Sequence, residues 1–207
     1  MQCIKDTIKN INIVIGCSIG CSYCYARMNN NRFHTIDDFN KPVFFENKLK
    51  MLDNKRHTAY LLTGQSDLSG WNEEWKDKVF SKMKENENTQ YIFLTKRPEN
   101  IKLKETPDNG WFGVTVTSSK EKTRIDYLRN NIKANHYHIT FEPMFDDVGK
   151  LDLSNISWIV IGTETGNRKG KISSKREWVF NIYNQAKEKN IPVFMKEDLL
   201  GILKEDE

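Results

Sequence analysis

Seven short apolar runs limit what this chain can fold into. They lie at residues 10–16, 58–63, 91–95, 111–117, 136–141, 158–162 and 191–195. Charged stretches of helical character separate them. The helices are expected at 26–30, 41–52 with Pro42 at its start, 72–86, a stretch ending near 133, and 175–189. In the third, Trp75, Val79 and Met83 share one face. Ser118-Ser119 and Ser173-Ser174 read as N-caps for the last two. Strand and helix in alternation describe βα units around a parallel sheet. A closed eight-unit barrel takes about 250 residues, and this chain has 207. The expected class is therefore α/β, a partial, splayed TIM-like barrel in one domain over 1–207.

In a parallel barrel the carboxyl ends of the strands meet at one mouth. Polar side chains recur at those ends: Gln65, Ser66 and Asp67; Lys96 and Arg97; Thr115 and Thr117; Glu142; Glu164 and Thr165; Lys196, Glu197 and Asp198. Pro143 holds Glu142 extended. Its carboxylate either reads ribose hydroxyls or base N–H groups, or pairs with Lys96 or Lys196. Gly64 permits close backbone approach, and Gly162 reads as an ordinary turn glycine. Trp71 follows a strand-end loop, where it either lids a flat ligand or packs inside. His34, His57, His136 and His138 form no metal-spaced pair, and the last two are expected to be structural. Tyr91, Phe93, Trp111, Phe112, Trp158 and Phe194 are expected in the core.

The first apolar run leads into Gly16-Cys17-Ser18-Ile19-Gly20-Cys21-Ser22-Tyr23-Cys24-Tyr25-Ala26. Three cysteines at C-x3-C-x2-C are one thiolate short of the four that fill a cubane iron–sulfur cluster. An open metal position signals chemistry rather than structure. No basic region with an apolar stretch begins the chain, and no apolar run approaches the roughly 18–20 residues of a membrane span. The expectation is a soluble, cytoplasmic protein whose cysteines bind metal or react rather than pair. Zinc would need Cys3 or His34 as fourth ligand. A redox pair of Cys21 and Cys24 would leave Cys17 without a role. The net charge of +4 does not by itself make a nucleic-acid surface.

The cysteine spacing, with Tyr23 just before the last cysteine, resembles the signature of the radical S-adenosylmethionine (SAM) superfamily. Five further stretches resemble, in order, its phage-associated branch. They are Thr63-Gly64-Gln65-Ser66-Asp67-Leu68, Leu94-Thr95-Lys96-Arg97-Pro98, Trp111-Phe112-Gly113-Val114-Thr115-Val116, Phe141-Glu142-Pro143-Met144 and Ile159-Val160-Ile161-Gly162-Thr163-Glu164-Thr165-Gly166. Phe194-Met195-Lys196 matches the closing strand.

The resemblance implies a partial (β/α)6 barrel with a [4Fe-4S] cluster on Cys17, Cys21 and Cys24. It implies SAM on the open iron and an external electron donor such as flavodoxin or ferredoxin. Tyr23, Gly64, Gln65, Ser66, Thr115, Thr117 and Glu142 would then line the cofactor. Asp67, Lys96, Glu164, Lys196, Glu197 and Trp71 would face the substrate. Gly64-Gln65 stands where many members carry a Gly-Gly-Glu-like motif, so Gln65, Ser66 or Asp67 would hold the methionine amino group. The small size also resembles the queuine lyases of that branch. This implies a 7-deazaguanine base as substrate, cleaved at a C–N bond to 7-aminomethyl-7-deazaguanine for tRNA salvage. Tyr23 and Tyr25 also resemble the cysteine loop of spore photoproduct lyases, which would make nucleic acid the substrate. A non-catalytic metal-binding module is the remaining alternative.

Overall fold

The computed structural model describes residues 7–54 and 58–204. Cys3 and His57 lie outside the described residues. Ile8–Asn10 forms β1 and Val14–Ile15 forms β2. The run at 10–16 is thus two short strands rather than one. The cysteine loop follows β2 and leads into helix α1, Tyr25–Phe33, longer than the spacing predicts. Val43–Phe44 is β3, antiparallel to β2. The helix expected from Pro42 onward is instead this strand and a 3-10 turn over Glu46–Asp53. The aromatic and β-branched residues Val43, Phe44 and Phe45 favour an extended backbone, and Phe45 donates its N–H to the Ile13 carbonyl at 2.8 Å.

Ala59–Leu61 is β4, and Glu73–Lys84 is α2. Gln90–Thr95 (β5), Gly110–Thr115 (β6), His136–Phe141 (β7) and Ile156–Ile161 (β8) follow, with α3 at Thr123–Asn131 between β6 and β7. Arg176–Glu188 is α4, Val193–Met195 is β9 and Leu200–Leu203 is α5. Ser118 and Ser174 cap neither late helix: Ser119 Oγ turns to Asp146, and Ser174 Oγ donates to the Met144 carbonyl.

Seven strands pair in parallel, in the order β1-β4-β5-β6-β7-β8-β9. This is one mixed α/β domain whose sheet curls into a half-barrel. One face carries Tyr91, Phe93, Phe112, Ile139, Phe141, Ile159 and Ile161, all buried in the main core. Phe93 stacks on Phe112 at 4.9 Å, and both meet the edge of Phe80 from α2. The other face is concave. At its amino-terminal end Ala59, Ile92, Trp111, Trp158 and Pro192 line one cavity of about 330 Å³, so β4 and the residue that leads into β9 face one space. Ile15, Ala26, Ile36 and Phe39 form a second, smaller core, against which Cys17, Cys24 and Phe45 pack. Among the described residues no helix is long and apolar enough to cross a membrane.

His138 occupies the middle of the concave face. It is buried, and its Nε2 donates to the Phe93 carbonyl at 3.1 Å across the intervening strand. Burial pulls its pKa down to about 4, so the ring is neutral at pH 7. The ring lies directly on Gly113: a Cβ there would stand 2.3 Å from Nε2 and 2.4 Å from Cε1. Glycine is needed here for space, not for backbone freedom. Gly113→Ala should therefore lower stability by on the order of 3 kcal/mol, as overpacking does. Urea unfolding with an unchanged m-value would read this. A shift near zero would mean that the imidazole swings aside freely.

Candidate active site

The cysteine loop begins where a side chain cannot fit. Gly16 has φ +114°, and a Cβ there would meet the Pro42 Cα at 2.8 Å. Its N–H donates to the Gln65 carbonyl at 3.0 Å, and Gly16 bridges Ser66 in parallel. Gln65 and Ser66 thus lie beside Cys17, whose own N–H donates to the Phe39 carbonyl. Cys24 is the N-cap of α1, its Sγ accepting from the Arg27 N–H at 3.4 Å. Arg27 returns to the loop: Nη2 donates to the Cys17 carbonyl at 2.9 Å and to Asn40 Oδ1 at 3.0 Å, with the guanidinium 5.0 Å from the Phe39 ring.

Two tyrosines fasten the loop across the mouth. Tyr25 Oη donates to the Gly64 carbonyl beyond β4. The Tyr23 hydroxyl lies close enough to the Cys21 thiol and to Thr117, beyond β6, for both to act on its proton. Burial and the neighbouring thiol hold that phenol well above its usual range. The Tyr23 ring stands edge-on to Phe145 at 5.3 Å, and the Lys96 ammonium lies 5.8 Å from its centre. Thr115 and Thr117 are buried; Thr117 donates through N–H and Oγ1 to Glu121, which also pairs with Arg124.

The acids at the mouth divide by their partners. Asp67 is buried and accepts from Thr95 Oγ1, Lys96 N–H, and the N–H and Oγ of Ser69. It ties the exit of β4 to the end of β5. Glu164 is buried under a two-point contact with Arg168 and accepts from the Ile172 N–H; the arginine holds its carboxyl below the usual range. Trp71 is packed in the core, edge-on to Phe93, its Nε1 donating to Ser66 Oγ. It is no lid. Glu197 is exposed at the start of a 3-10 turn after β9.

Glu142 differs, because it stays partly exposed and pairs with Lys196. Gly162 makes room for that pair: a Cβ would stand 3.0 Å from Lys196 Cδ and 3.1 Å from Glu142 Cγ. Its role is space, which corrects its reading as a turn glycine. Arg27 and Asn12 were also not legible as site residues. Arg27 sits on an ordinary helix face by spacing. Asn12 Oδ1 is buried without a hydrogen-bond partner, 3.0 Å from where a Gly64 Cβ would be. A buried acceptor without a donor costs free energy, and nothing in a single Asn announces it.

The donor set suits a thiophilic metal centre. Cys17, Cys21 and Cys24 are half-buried free thiols, and the charges of Cys21 and Cys24 act on Cys17. Among the described residues no three His, Cys, Asp or Glu side chains form a ready metal site. Burial, helped by Asp67 and the other two thiols, raises the Cys17 pKa from 9.0 to about 11. Cys17 is therefore protonated at neutral pH, and a metal has to displace that proton, so affinity rises with pH. In the metal-free protein at pH 8, iodoacetamide should label Cys17 on the order of a hundredfold more slowly than in the unfolded chain, following the thiolate fraction. Labelling as fast as in the unfolded chain, mapped by mass spectrometry, would contradict this environment.

No curated protein matches the chain. The model of the family described as "Protein of unknown function (DUF5131)" matches residues 2–200. That match spans nearly the whole chain, and the chain belongs to the DUF5131 family.

Proposed function

We propose that this chain is a cytoplasmic radical SAM lyase, built on a partial (β/α)6 TIM-like barrel, that acts on a 7-deazaguanine base, queuine. The observation that carries the reading is the three-thiol loop fastened across the mouth by Tyr23 and Tyr25. Cys17, Cys21 and Cys24 would hold a [4Fe-4S] cluster. When bound, cluster and SAM supply a 5′-deoxyadenosyl radical, made by one-electron reduction and able to take hydrogen from a carbon.

The chain's own residues then have separable tasks. Gly64, with no Cβ, and Gln65 and Ser66 beside Cys17 offer backbone and side-chain contacts to the SAM amino acid part. The unpartnered Asn12 Oδ1 beside Gly64 is a further acceptor for its ammonium, a role for which the family resemblance left Gln65, Ser66 and Asp67 open. Asp67 and Glu164 are already committed within the protein. They keep the rim rigid and positioned rather than meeting substrate. Glu142, partly exposed and placed over Gly162 beside Lys196, is assigned to accept from the guanine-like N–H edge. Lys196 Nζ, which donates to Glu142 Oε1, is assigned the proton delivered to the nitrogen of the breaking C–N bond. Lys96, resting on Tyr23, is assigned to a carboxylate.

One observation favours a second reading, in which the base is still part of a polynucleotide. The segment 165–176 after β8 holds Arg168, Lys169, Lys171, Lys175 and Arg176 and no acid. Arg168, however, is engaged by Glu164.

Anaerobic reconstitution should load about four irons per chain, lost when any one of the three cysteines becomes Ala. A zinc-only protein that never cleaves SAM would sink the reading. With SAM and dithionite, mass analysis should show queuine converted to 7-aminomethyl-7-deazaguanine, and Glu142→Gln should cost about a hundredfold or more in that conversion. Brisk SAM cleavage beside unaltered queuine would remove this substrate. Turnover of queuosine-containing tRNA instead would favour the second reading.

A further inference from the structure

Arg27 stands where a helix does not favour a cation. Cys24 caps α1, so Arg27 belongs to its first turn, and that turn holds no acid. The amino end of a helix carries partial positive charge, which disfavours a cation there. Among the described residues no carboxylate pairs with this arginine. The half-buried side chain donates to two neutral oxygens, the Cys17 carbonyl and Asn40 Oδ1, and lies over the buried Phe39 ring. Asp38 is near, but its carboxyl is held below the usual range chiefly by the Asn40 N–H, and Lys41 acts on it ahead of Arg27. Asp38 Oδ1 accepts from both nitrogens of Asn40, which leaves Asn40 Oδ1 for the arginine.

The same residue closes the cysteine loop end to end. Its backbone N–H donates to Cys24 Sγ at 3.4 Å, and its Nη2 reaches the Cys17 carbonyl at 2.9 Å. Between those ends Gly20 has φ +79° and open space where a Cβ would be, and Ser18 and Ser22 are exposed. The middle of the loop has little packing of its own. A cation that the helix disfavours, and that no acid of the fold claims, thus stands behind the three thiols. An anionic centre on those thiols supplies the missing counter-charge.

We propose that Arg27 is the positioning residue of the three-thiol centre: its side chain fixes the Cys17 end of the loop, and its charge raises the reduction potential of the cluster held there. The inference rests on the reading above, in which Cys17, Cys21 and Cys24 hold a [4Fe-4S] cluster, and it adds what tunes that cluster. The potential of such a cluster follows net charge, hydrogen bonding and exposure to water. A nearby cation favours the reduced form, which carries one more negative charge. Substitution separates the two parts of the role. Lysine keeps the charge but lacks the planar group that rests on Phe39. Glutamine loses the charge.

The test uses the full chain, reconstituted anaerobically, and reads the cluster without SAM or substrate. In Arg27→Gln the equilibrium for one-electron reduction, followed by paramagnetic resonance in a redox titration, should fall about tenfold, a potential about 59 mV more negative. In Arg27→Lys it should stay within about threefold of wild type. Both variants should lose iron to a chelator on the order of tenfold faster. A merely looser, wetter site would move the potential the other way, because water favours the more highly charged reduced form. An unchanged or more positive potential in Arg27→Gln would therefore overturn the inference. If Arg27→Gln does not fold, Arg27→Lys decides: its iron loss must quicken while its potential holds, and a potential that shifts with the iron loss overturns the role. A wild-type chain that takes up no iron–sulfur cluster would overturn the functional reading and this inference with it. A loaded wild type with unaltered variants would overturn this inference alone.

Discussion

Parallel pairing is the constraint on which the rest depends. A parallel strand cannot return by a tight hairpin, so each connection crosses over and the next strand starts again from the same end. Seven strands in this arrangement bring every carboxyl end to one rim. The curl of the sheet then closes that rim into a mouth. The helix-facing side of the strands is filled by stacked rings such as Phe93 and Phe112. The concave side is held open by small residues under large ones, with Gly113 beneath His138 and Gly162 beneath Glu142 and Lys196.

The rim gathers many polar groups, and the fold spends most of them on itself. Asp67 accepts four hydrogen bonds and joins two strand ends. Glu164 is held by Arg168 in its own loop. Both carboxylates are buried; using Asp67 on a ligand would leave the buried Thr95 hydroxyl unmatched, and using Glu164 would break its two-point contact with Arg168. The Lys196 and Glu142 side chains keep 30% and 26% of their surface in water, and an ion pair contributes less to stability as its hydration rises. That pair is therefore the cheapest to open toward a ligand. The cysteine loop stands outside the main core on its own small cluster of Ile15, Ala26, Ile36 and Phe39. Arg27 and the two tyrosines hold it over the rim.

Local pattern carried much of this architecture. The runs that became β5, β6, β7 and β8 are long enough and apolar enough that burial on both faces leaves no other solution. The stretch at 10–16 was less legible. Its apolar run is continuous, but the chain leaves the main sheet after Asn10, and β2 pairs with β3 instead. Pairing partners are distant in sequence, and a run of Ile and Val does not name them. The same applies to 41–52, where Pro42 suits a helix start as well as a strand start.

The sequence by itself determined the α/β alternation, the polar rim at the strand ends and the three thiols in one loop. These follow from periodicity and spacing, which are local properties. The tertiary structure alone decided which rim residues are spent and which remain. It moved Trp71 into the core, locked Asp67 and Glu164, and left Glu142 facing Lys196 over Gly162. It also brought the Arg27 side chain onto the Cys17 carbonyl. Each of these depends on which distant groups meet across the curled sheet, and burial, pairing and steric room are properties of that meeting rather than of any one stretch.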